Sequence, residues 1–268
     1  MKIIRFISEE EQLFWGVVDK PTHKLARLIK GNIFDRFEVT PERVEVKKLL
    51  PPVLPPNILG IGLNYNRHAY ETGIQIPEIP VMLMKATGAL VGPEEPIVIP
   101  RVAPHQVDYE AELAVIIGKK TKNVSKDEAM DYVLGYSCAN DVSARDWQIG
   151  KQKNQWTRAK SFDSFCPLGP CLVTKDEIPD PQNLAIQSQI NGRLHQDSNT
   201  SDMIFDVPSI VSHLSQSMTL LPGTVILTGT PHGIGFTRVP PVFLMPGDEI
   251  SIIIEKIGKL TNPVIKEE

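Results

Sequence analysis

Two glutamates separated by one residue are the first feature of this sequence that could do chemistry. Glu110 and Glu112 lie in the stretch His105 to Gly118, and its Val-, Ile- and Leu-rich second half predicts a strand. Residues two apart on a strand point to one face, with their Cα atoms about 7 Å apart. Two carboxylates aimed together repel unless water screens them or a cation lies between them. The apolar flank favours a hard cation such as Mg²⁺ or Mn²⁺, and a solvated strand face is the alternative.

A histidine and a glutamate form the second candidate group. The chain from Ile58 predicts a buried strand, followed by a short helix with Asn64 near its cap. Asn64, His68 and Glu71 then share one helix face, at positions i, i+4 and i+7. A carboxylate one turn from an imidazole fixes the tautomer of the ring and raises its basicity, as a general base requires. The alternative is a surface helix whose histidine and glutamate contact only water.

A third group combines acidic, amide and basic side chains. The chain after Leu134 is predicted to turn from strand to helix at Asp141. Asp141, Arg145 and Gln148 would again share one helix face, although Asp141 as a plain N-cap with an Arg145 surface pair is the alternative. Lys160 lies farther along, among small and aromatic residues. It is either a surface lysine or a cation that faces the carboxylates.

Two glycine-rich stretches resemble nucleotide-binding loops only superficially. Gly60 and Gly62 hint at a dinucleotide fingerprint, but Tyr65 stands where its third glycine belongs, so we reject that interpretation. The loop Gly229 to Gly235 lacks the Gly-Lys-Ser/Thr of a nucleotide P-loop. A loop of this kind can instead offer backbone N–H groups to a substrate carboxylate.

The elements that must position these groups are short strands and tight turns, as 23 prolines and 18 glycines indicate. Helices are predicted over 125–133, with a Ser125 cap and a Glu at the capping-box spacing, and within 203–218. Asn191-Gly192 predicts a hairpin turn. The proline-rich segment 51–56 marks a boundary, which predicts a small N-terminal domain over 1–52 and a catalytic domain over 57–268.

Composition limits the classes of function. The net charge of −4 gives no broad basic field, which argues against nucleic acid as a partner. No stretch reaches the length of a membrane span or a signal peptide. The three cysteines, Cys138, Cys166 and Cys171, form no CxxC pair, and this sparse set predicts a reducing, cytoplasmic location.

Several short motifs occur along the chain in a fixed order, and the set is far more specific than any one of them. They are Asn64-Tyr65 with His68 and Glu71, Asp108-Tyr109-Glu110 with Glu112-Leu113, Asn140-Asp141-Val142 with Ala144-Arg145-Asp146, Lys160 in Ala-Lys-Ser-Phe-Asp, and Thr228-Gly229-Thr230-Pro231. From about residue 57 to the C-terminus, the sequence resembles the fumarylacetoacetate hydrolase family. Residues 1–50 are similar to the variable N-terminal appendage of that family.

The resemblance implies an α+β, mainly β fold: a mixed-strand β-sandwich or roll with short helices and a small N-terminal appendage, assembled as a homodimer. It implies Mg²⁺ or Mn²⁺ held by Glu110, Glu112 and Asp141. It also places His68 and Glu71 on a lid-like helix as a catalytic pair. The remaining implied site residues are Lys160, which balances charge and stabilises an oxyanion, and the substrate-binding side chains Arg145, Gln148 and Thr230.

The activity that follows from the resemblance is hydrolysis of a C–C bond in an acylpyruvate or related β-diketo acid, through a metal-bound enolate. His68, oriented by Glu71, would activate the attacking water. The alternatives pass through the same enolate: oxaloacetate decarboxylation or tautomerisation, and isomerisation of 2-hydroxyhepta-2,4-diene-1,7-dioate. A non-catalytic binding protein with a vestigial site is a further alternative, and retention of all the polar positions argues against it.

Overall fold

Strands are the main regular element in the computed structural model, which describes residues 1–20, 24–151, 153 and 155–268. His23, to which the sequence assigns no role, lies outside the described residues. The strands are β1 Lys2–Ser8, β2 Leu13–Val18, β3 Leu25–Gly31, β4 Phe37–Leu50, β5 Ile58–Gly62, β6 Val81–Lys85, β7 Leu90–Val91, β8 Ile97–Ile99, β9 Val107–Asp108, β10 Ala111–Ile117, β11 Val133–Asn140, β12 Ser143–Ala144, β13 Cys166–Thr174, β14 Ala185–Ile190, β15 Arg193–Asn199, β16 Val225–Leu227, β17 Glu249–Ile254 and β18 Gly258–Lys266.

The helices are few and short. The described residues contain the α-helices α1 Asn66–Thr72, α2 Trp156–Ala159 and α3 Val207–Ser217, a π-helix over Asp146–Lys151, and 3₁₀ turns at Thr87–Ala89, Ala129–Tyr132, Lys175–Glu177 and Thr200–Asp202. No helix in the described part of the chain is long and apolar enough to cross a membrane.

Two sheets pack face to face around the core. The larger has the order β2-β3-β4-β1-β13-β11-β10-β16-β5-β6, and β7 joins it beside β13. The smaller has the order β15-β14-β17-β18-β8, and its strands β14, β17 and β18 pack on β10, β11 and β13. Leu113, Ile116, Ile252 and Leu260 belong to the buried cluster of apolar residues in this core. This mainly β architecture of mixed sheets with few short helices confirms the predicted fold class.

The N-terminal strands continue the large sheet. β1 pairs with β13 through Lys2 opposite Val173 and Ile3 opposite Leu172, and it also pairs with β2 and β4. The predicted boundary at 51–56 falls between β4 and β5. Because one sheet crosses that boundary, the division into two domains stays a prediction.

The predicted strand from His105 to Gly118 is wrong as a single element. It breaks between β9 and β10, at Tyr109 and Glu110, and β9 pairs with β12 outside the large sheet. The cause is the buried Asp108, whose carboxylate accepts a hydrogen bond from the N–H of Tyr109 at 2.8 Å. A side chain that binds the next backbone amide removes that amide from a strand ladder.

Three predictions about helix starts need correction. Asn64 lies next to the N-cap Tyr65, near the cap as predicted, but it is outside α1 and so does not share a helix face with His68 and Glu71; its side chain bonds the backbone of Phe205 and Thr228. No helix begins at Asp141, where β12 follows before the π-helix. Ser125 and Glu128 exchange the predicted capping bonds, but only the short 3₁₀ turn follows. Short polar side chains in loops find tertiary partners that local patterns do not specify.

Two other local predictions are confirmed. Asn191 and Gly192 connect β14 to β15, both with positive φ, as a type I′ hairpin turn requires. Helix α3 lies within the predicted range 203–218 and is capped by Asp206, whose side chain accepts from the N–H of Ser209 at 2.9 Å.

Candidate active site

Three buried carboxylates meet at one end of β10. One oxygen each from Glu110, Glu112 and Asp141 lies within 4.8 Å of the others. Glu110 and Glu112 flank Ala111, the first residue of β10, and Asp141 directly follows β11. The N–H of Asp141 donates to the carbonyl of Glu110 at 2.9 Å, so the pairing of β10 with β11 brings the acids together.

Two lysines lie against these acids. Lys160 Nζ donates to Glu110 Oε2 at 2.8 Å, and to Asp141 Oδ2 and Ser143 Oγ at 2.7 Å each. Lys85 Nζ bonds the other Asp141 oxygen and the carbonyl of Val142, at 3.2 Å for the latter. The sequence analysis predicted Lys160 and missed Lys85. A signal was present, because Lys85 lies two residues after the buried Leu83 on β6, and a lysine on the inward face of a strand requires an acidic partner.

Arg145 is committed to protein partners. Its Nε donates to Asp108 at 2.8 Å, Nη1 to Gln148 Oε1 at 2.7 Å and Nη2 to Glu110 Oε1 at 2.7 Å. Arg145 and Gln148 were predicted to bind substrate, and both line the cavity described below. Three donors directed at protein acceptors give Arg145 a clear positioning task, and its predicted substrate contact stays a prediction.

The electrostatics of the acidic cluster suit a hard divalent cation. Burial, followed by repulsion from Asp141 and Glu110, raises the pKa of Glu112 well above its usual range. Burial alone would raise the pKa of Glu110 too, but Lys160 and Arg145 hold it at about 2. With Asp108, the cluster holds four carboxylates against three basic side chains, counted over the described residues, which leaves one formal negative charge in excess. Three converging carboxylate oxygens form the donor set that Mg²⁺ or Mn²⁺ prefers, so these residues fit the metal.

The predicted His68–Glu71 pair is present on α1. His68 Nδ1 lies 3.1 Å from Glu71 Oε2. The other oxygen, Oε1, accepts hydrogen bonds from the N–H of Gly233 at 2.9 Å and from Thr237 Oγ1 at 2.6 Å. Burial opposes ionisation of Glu71, but the bonds from His68, Thr237 and Gly233 lower its pKa. An ionised Glu71 accepts the Nδ1–H of His68, which leaves Nε2 as the nitrogen that can take up a proton.

One loop connects this pair to the acidic cluster. Asp108 accepts hydrogen bonds from the N–H groups of Gly235 at 2.8 Å and Phe236 at 3.0 Å, in the loop that also holds Glu71. A Cβ at Gly235 would collide with the carbonyl of Val242 and the carboxylate of Asp108, so this approach requires glycine. The hydrogen bonds therefore run from Glu110 through Arg145 and Asp108 to the loop and on to His68. The sequence analysis assigned no role to Asp108 or Thr237.

The His68–Glu71 pair and the acidic cluster line one cavity of about 660 Å³. His68, Glu71, the three acids and Lys160 all line it. Thr230, predicted to bind substrate, also lines it, and its Oγ1 accepts a hydrogen bond from Gln196 at 2.8 Å. The structure thus brings every predicted site residue to one place.

A histidine paired with a carboxylate and a converging acid triad line one cavity, which is the kind of arrangement found in enzyme active sites. Comparison with known proteins agrees: the family described as "Fumarylacetoacetate (FAA) hydrolase C-terminal" matches residues 57–265. The chain therefore belongs to the fumarylacetoacetate hydrolase family. A second family, "Rv2993c-like, N-terminal", matches residues 1–52.

Three relatives have names that specify a tautomerase or an isomerase. "Oxaloacetate tautomerase fahd2, mitochondrial" of Xenopus laevis is 48% identical over 223 residues, which cover 83% of this chain and 70% of that protein. The structure of a 2-hydroxyhepta-2,4-diene-1,7-dioate isomerase from Mycobacterium marinum is 40% identical, with a TM-score of 0.84 and coverage of 100% of this chain and 99% of that one. A 5-carboxymethyl-2-hydroxymuconate delta-isomerase from Mycobacterium smegmatis is 37% identical, with a TM-score of 0.87 over 100% of both chains.

Proposed function

We propose that this protein is a metal-dependent tautomerase that interconverts the keto and enol forms of oxaloacetate or a closely similar 2-oxo acid. The observation that carries the proposal is that the His68–Glu71 pair and the triad of Glu110, Glu112 and Asp141 line one cavity. A proton carrier and a place to hold an oxyanion are the two things that enolisation needs.

The acid triad would hold Mg²⁺ or Mn²⁺, which when bound supplies Lewis acidity that stabilises enolate charge. The cation would also change the local excess from one negative to one positive charge, which suits an anionic substrate. Lys160 and Lys85 hold Glu110 and Asp141 in place through buried ion pairs. Gln148 and Thr230 present polar groups to the cavity for the substrate carboxylate.

His68 moves the proton. Its Nε2 would remove a proton from C3 of the keto acid, the C–H electron pair would form the C2–C3 double bond, and the carbonyl electrons would move to the C2 oxygen. Glu71 fixes the tautomer of the ring and stabilises the imidazolium that results. Transfer of a proton from the His68 imidazolium to the C2 oxygen gives the enol and regenerates the base, and the reverse sequence restores the ketone. No C–C bond breaks and no water is consumed.

Hydrolysis of a C–C bond, the activity put first from the sequence, receives less support than this alternative. It would need His68 to direct a water at a second carbonyl, whereas tautomerisation uses the same residue as a proton carrier alone. The relatives named above act, by their names, as tautomerase and isomerases. Oxaloacetate decarboxylation remains a side reaction to be measured, since it passes through the same enolate.

Isomerisation of an unsaturated 2-hydroxy dioate is a second candidate. The observation in its favour is coverage: the M. marinum isomerase aligns with this whole chain, residues 1–52 included, whereas the Xenopus tautomerase covers 83% of it. The same His68 would carry a proton between two carbons of a conjugated acid instead of between carbon and oxygen.

The test is to follow enol disappearance by ultraviolet absorbance with Mn²⁺-loaded protein, oxaloacetate and, separately, the dienoate dioate. Deuterium incorporation at C3 in D₂O, with the carbon skeleton intact, is the expected result. A coupled pyruvate assay measures decarboxylation, and product analysis with acylpyruvates measures hydrolysis. Cleavage of acylpyruvates faster than exchange into oxaloacetate would overturn the proposal.

Assembly and compartment are further parts of the proposal. We propose a homodimer, supported by exposed apolar side chains on β6, the last strand of the large sheet, where Met82 and Met84 are exposed near the exposed Ile79. Light scattering on the purified protein tests it. The cytoplasmic location predicted from the sparse set of three cysteines without a CxxC pair differs from the word mitochondrial in the name of the Xenopus relative, so it stays a prediction.

A further inference from the structure

The rim of the cavity carries large apolar side chains that stand in water. Ile74, Ile149 and Phe236 line the cavity and are 53%, 49% and 40% exposed. They come from three separate segments: the chain after α1, the π-helix, and the loop that holds Glu71. Three exposed apolar residues converging on one opening form a patch that gains free energy when an apolar group covers it.

The wall below the rim is apolar as well. Trp156 lines the cavity from α2, and its ring lies against Gly62 at the end of β5 so closely that any Cβ at 62 would overlap it. Leu63 and Leu83 continue this wall. Glycine at 62 is therefore what allows the indole to reach this position, and the indole offers a broad flat surface for a ligand.

The strong cations of the cavity already have protein partners. Among the described lining residues, the basic side chains are His68, Arg145 and Lys160, and the two strong cations are both bonded to the acidic cluster. A carboxylate on the far end of a substrate would meet Trp156 and the apolar rim without a cationic partner there. Such an unpaired anion loses hydration without compensation. The cavity of about 660 Å³ is also in the size range that encloses drug-sized ligands, far more than a four-carbon dioate fills.

We infer that the preferred substrate is a 2-oxo acid whose far end is an apolar alkyl or aryl group, bound between Trp156 and the rim formed by Ile74, Ile149 and Phe236. The inference rests on the proposed function, because the 2-oxo acid head would be held at the acidic cluster next to His68. The inference goes beyond the proposed function because it specifies the chemical group attached to the enolisable carbon.

Binding of N-alkyl oxamates tests the inference separately from catalysis. These compounds keep the carboxylate and 2-oxo oxygens but have an amide nitrogen in place of the enolisable carbon, so they offer no C–H to remove, and the alkyl chain can be lengthened one methylene at a time. Calorimetry with Mn²⁺-loaded protein should show affinity rising about fourfold per methylene over the first members, as burial of CH₂ predicts. Ile149→Ser and Trp156→Ser should flatten this rise. Leu194→Ser, at an equally exposed apolar residue of β15 away from the cavity, should leave it intact.

The outcomes are distinguishable. A flat or falling series with wild-type protein overturns the inference, and the apolar rim is then covered by closure of α1 or by a second chain. An unchanged slope in Ile149→Ser and Trp156→Ser overturns the assigned location. Absence of oxaloacetate exchange together with a rising oxamate series would reject the proposed tautomerisation and keep the apolar subsite.

Discussion

Thr237 holds the carboxylate of Glu71 from a loop 166 residues farther along the chain. Its hydroxyl lies 2.6 Å from Glu71 Oε1, and the opposite oxygen lies 3.1 Å from His68 Nδ1. One carboxylate thus connects the helix that carries the base to the loop fixed by Asp108. The orientation of His68 depends on a side chain that does not touch it.

Thr237→Val should lower kcat about tenfold to a hundredfold with little change in KM. Valine keeps the shape of threonine and removes a charge-assisted hydrogen bond of about 1.5–3 kcal/mol. Steady-state tautomerase kinetics measure the effect. Thr237→Ser, which restores a hydroxyl, should recover most of the activity.

A double-mutant cycle separates positioning from general damage. In a Glu71→Gln background, Thr237→Val should have little further effect, because the carboxylate through which it acts is gone. Additive losses in the double variant would mean that Thr237 affects folding or the loop and does not act through Glu71.

His68→Ala should retain the metal and lose turnover. The triad lies on β10 and after β11, so removal of an α1 side chain leaves the oxygens of Glu110, Glu112 and Asp141 in place. Metal content by mass spectrometry and exchange kinetics test the two halves. Glu110→Gln is the matched variant, and it should lose metal and turnover together. Wild-type turnover in Glu110→Gln with excess EDTA would contradict the assigned site.

Glu112→Gln should stabilise the metal-free protein at neutral and alkaline pH while abolishing metal binding. The folded-state pKa of Glu112 is raised by burial and by Asp141 and Glu110, from about 4.3 in an unfolded chain. Between these two pKa values the folded state holds the extra proton, so stability falls as pH rises, by at most about 1.4 kcal/mol per pH unit. The advantage of the variant should therefore disappear as pH falls to about 4.

Denaturant unfolding measured across pH, with and without Mn²⁺, checks whether the free energy of unfolding falls as pH rises. Wild-type protein should regain stability when Mn²⁺ is added, and Glu112→Gln should not. A metal-free variant that is less stable than wild type at pH 8 would show that the acids do not repel one another as their separation implies.

Lys85→Met should destabilise the protein by about 3 kcal/mol. Lys85 and Asp141 form a pair with side chains 0% and 3% exposed, and removal of Lys85 leaves the buried Oδ1 of Asp141 without its cationic partner, while Lys160 still binds Oδ2. Lys48→Met is the control, since its pair with Glu95 is 48% and 26% exposed and is worth less than about 1 kcal/mol. Equal losses in the two variants would contradict the structural role of Lys85.

Strand alternation pointed only to the pair Glu110 and Glu112, and the family resemblance of the ordered motifs added Asp141 to form the triad. Sequence patterns grouped Arg145 with Gln148 correctly but for the wrong reason, since β12 and a π-helix replace the predicted helix. The side chains of Arg145 and Gln148 are still neighbours because the two residues lie only three apart in the sequence. Asp141 is connected to this group through its hydrogen bond with Lys160. That contact is between distant parts of the chain, so helical spacing could not predict it.

Long-range partners were the part that the sequence could not supply. Thr237 and Asp108 act through loop hydrogen bonds, and loops have no periodicity from which a partner could be read. The neighbours of β5 in the large sheet, β16 and β6, likewise follow from the packing of the whole chain. The mainly β class was accessible because frequent proline and glycine restrict the chain to short strands.

The parallel pairing of β5 with β16 has a consequence for biosynthesis. Ile58 lies opposite Val225, and Ile226 of β16 also pairs with β10, so β16 joins an early and a middle segment of the chain. A ribosome must release almost the entire polypeptide before that insertion completes the sheet. Until β16 inserts, the edges of β5 and β10 that will pair with it are unpaired. We expect chaperones to bind, or aggregation to begin, at these two edges.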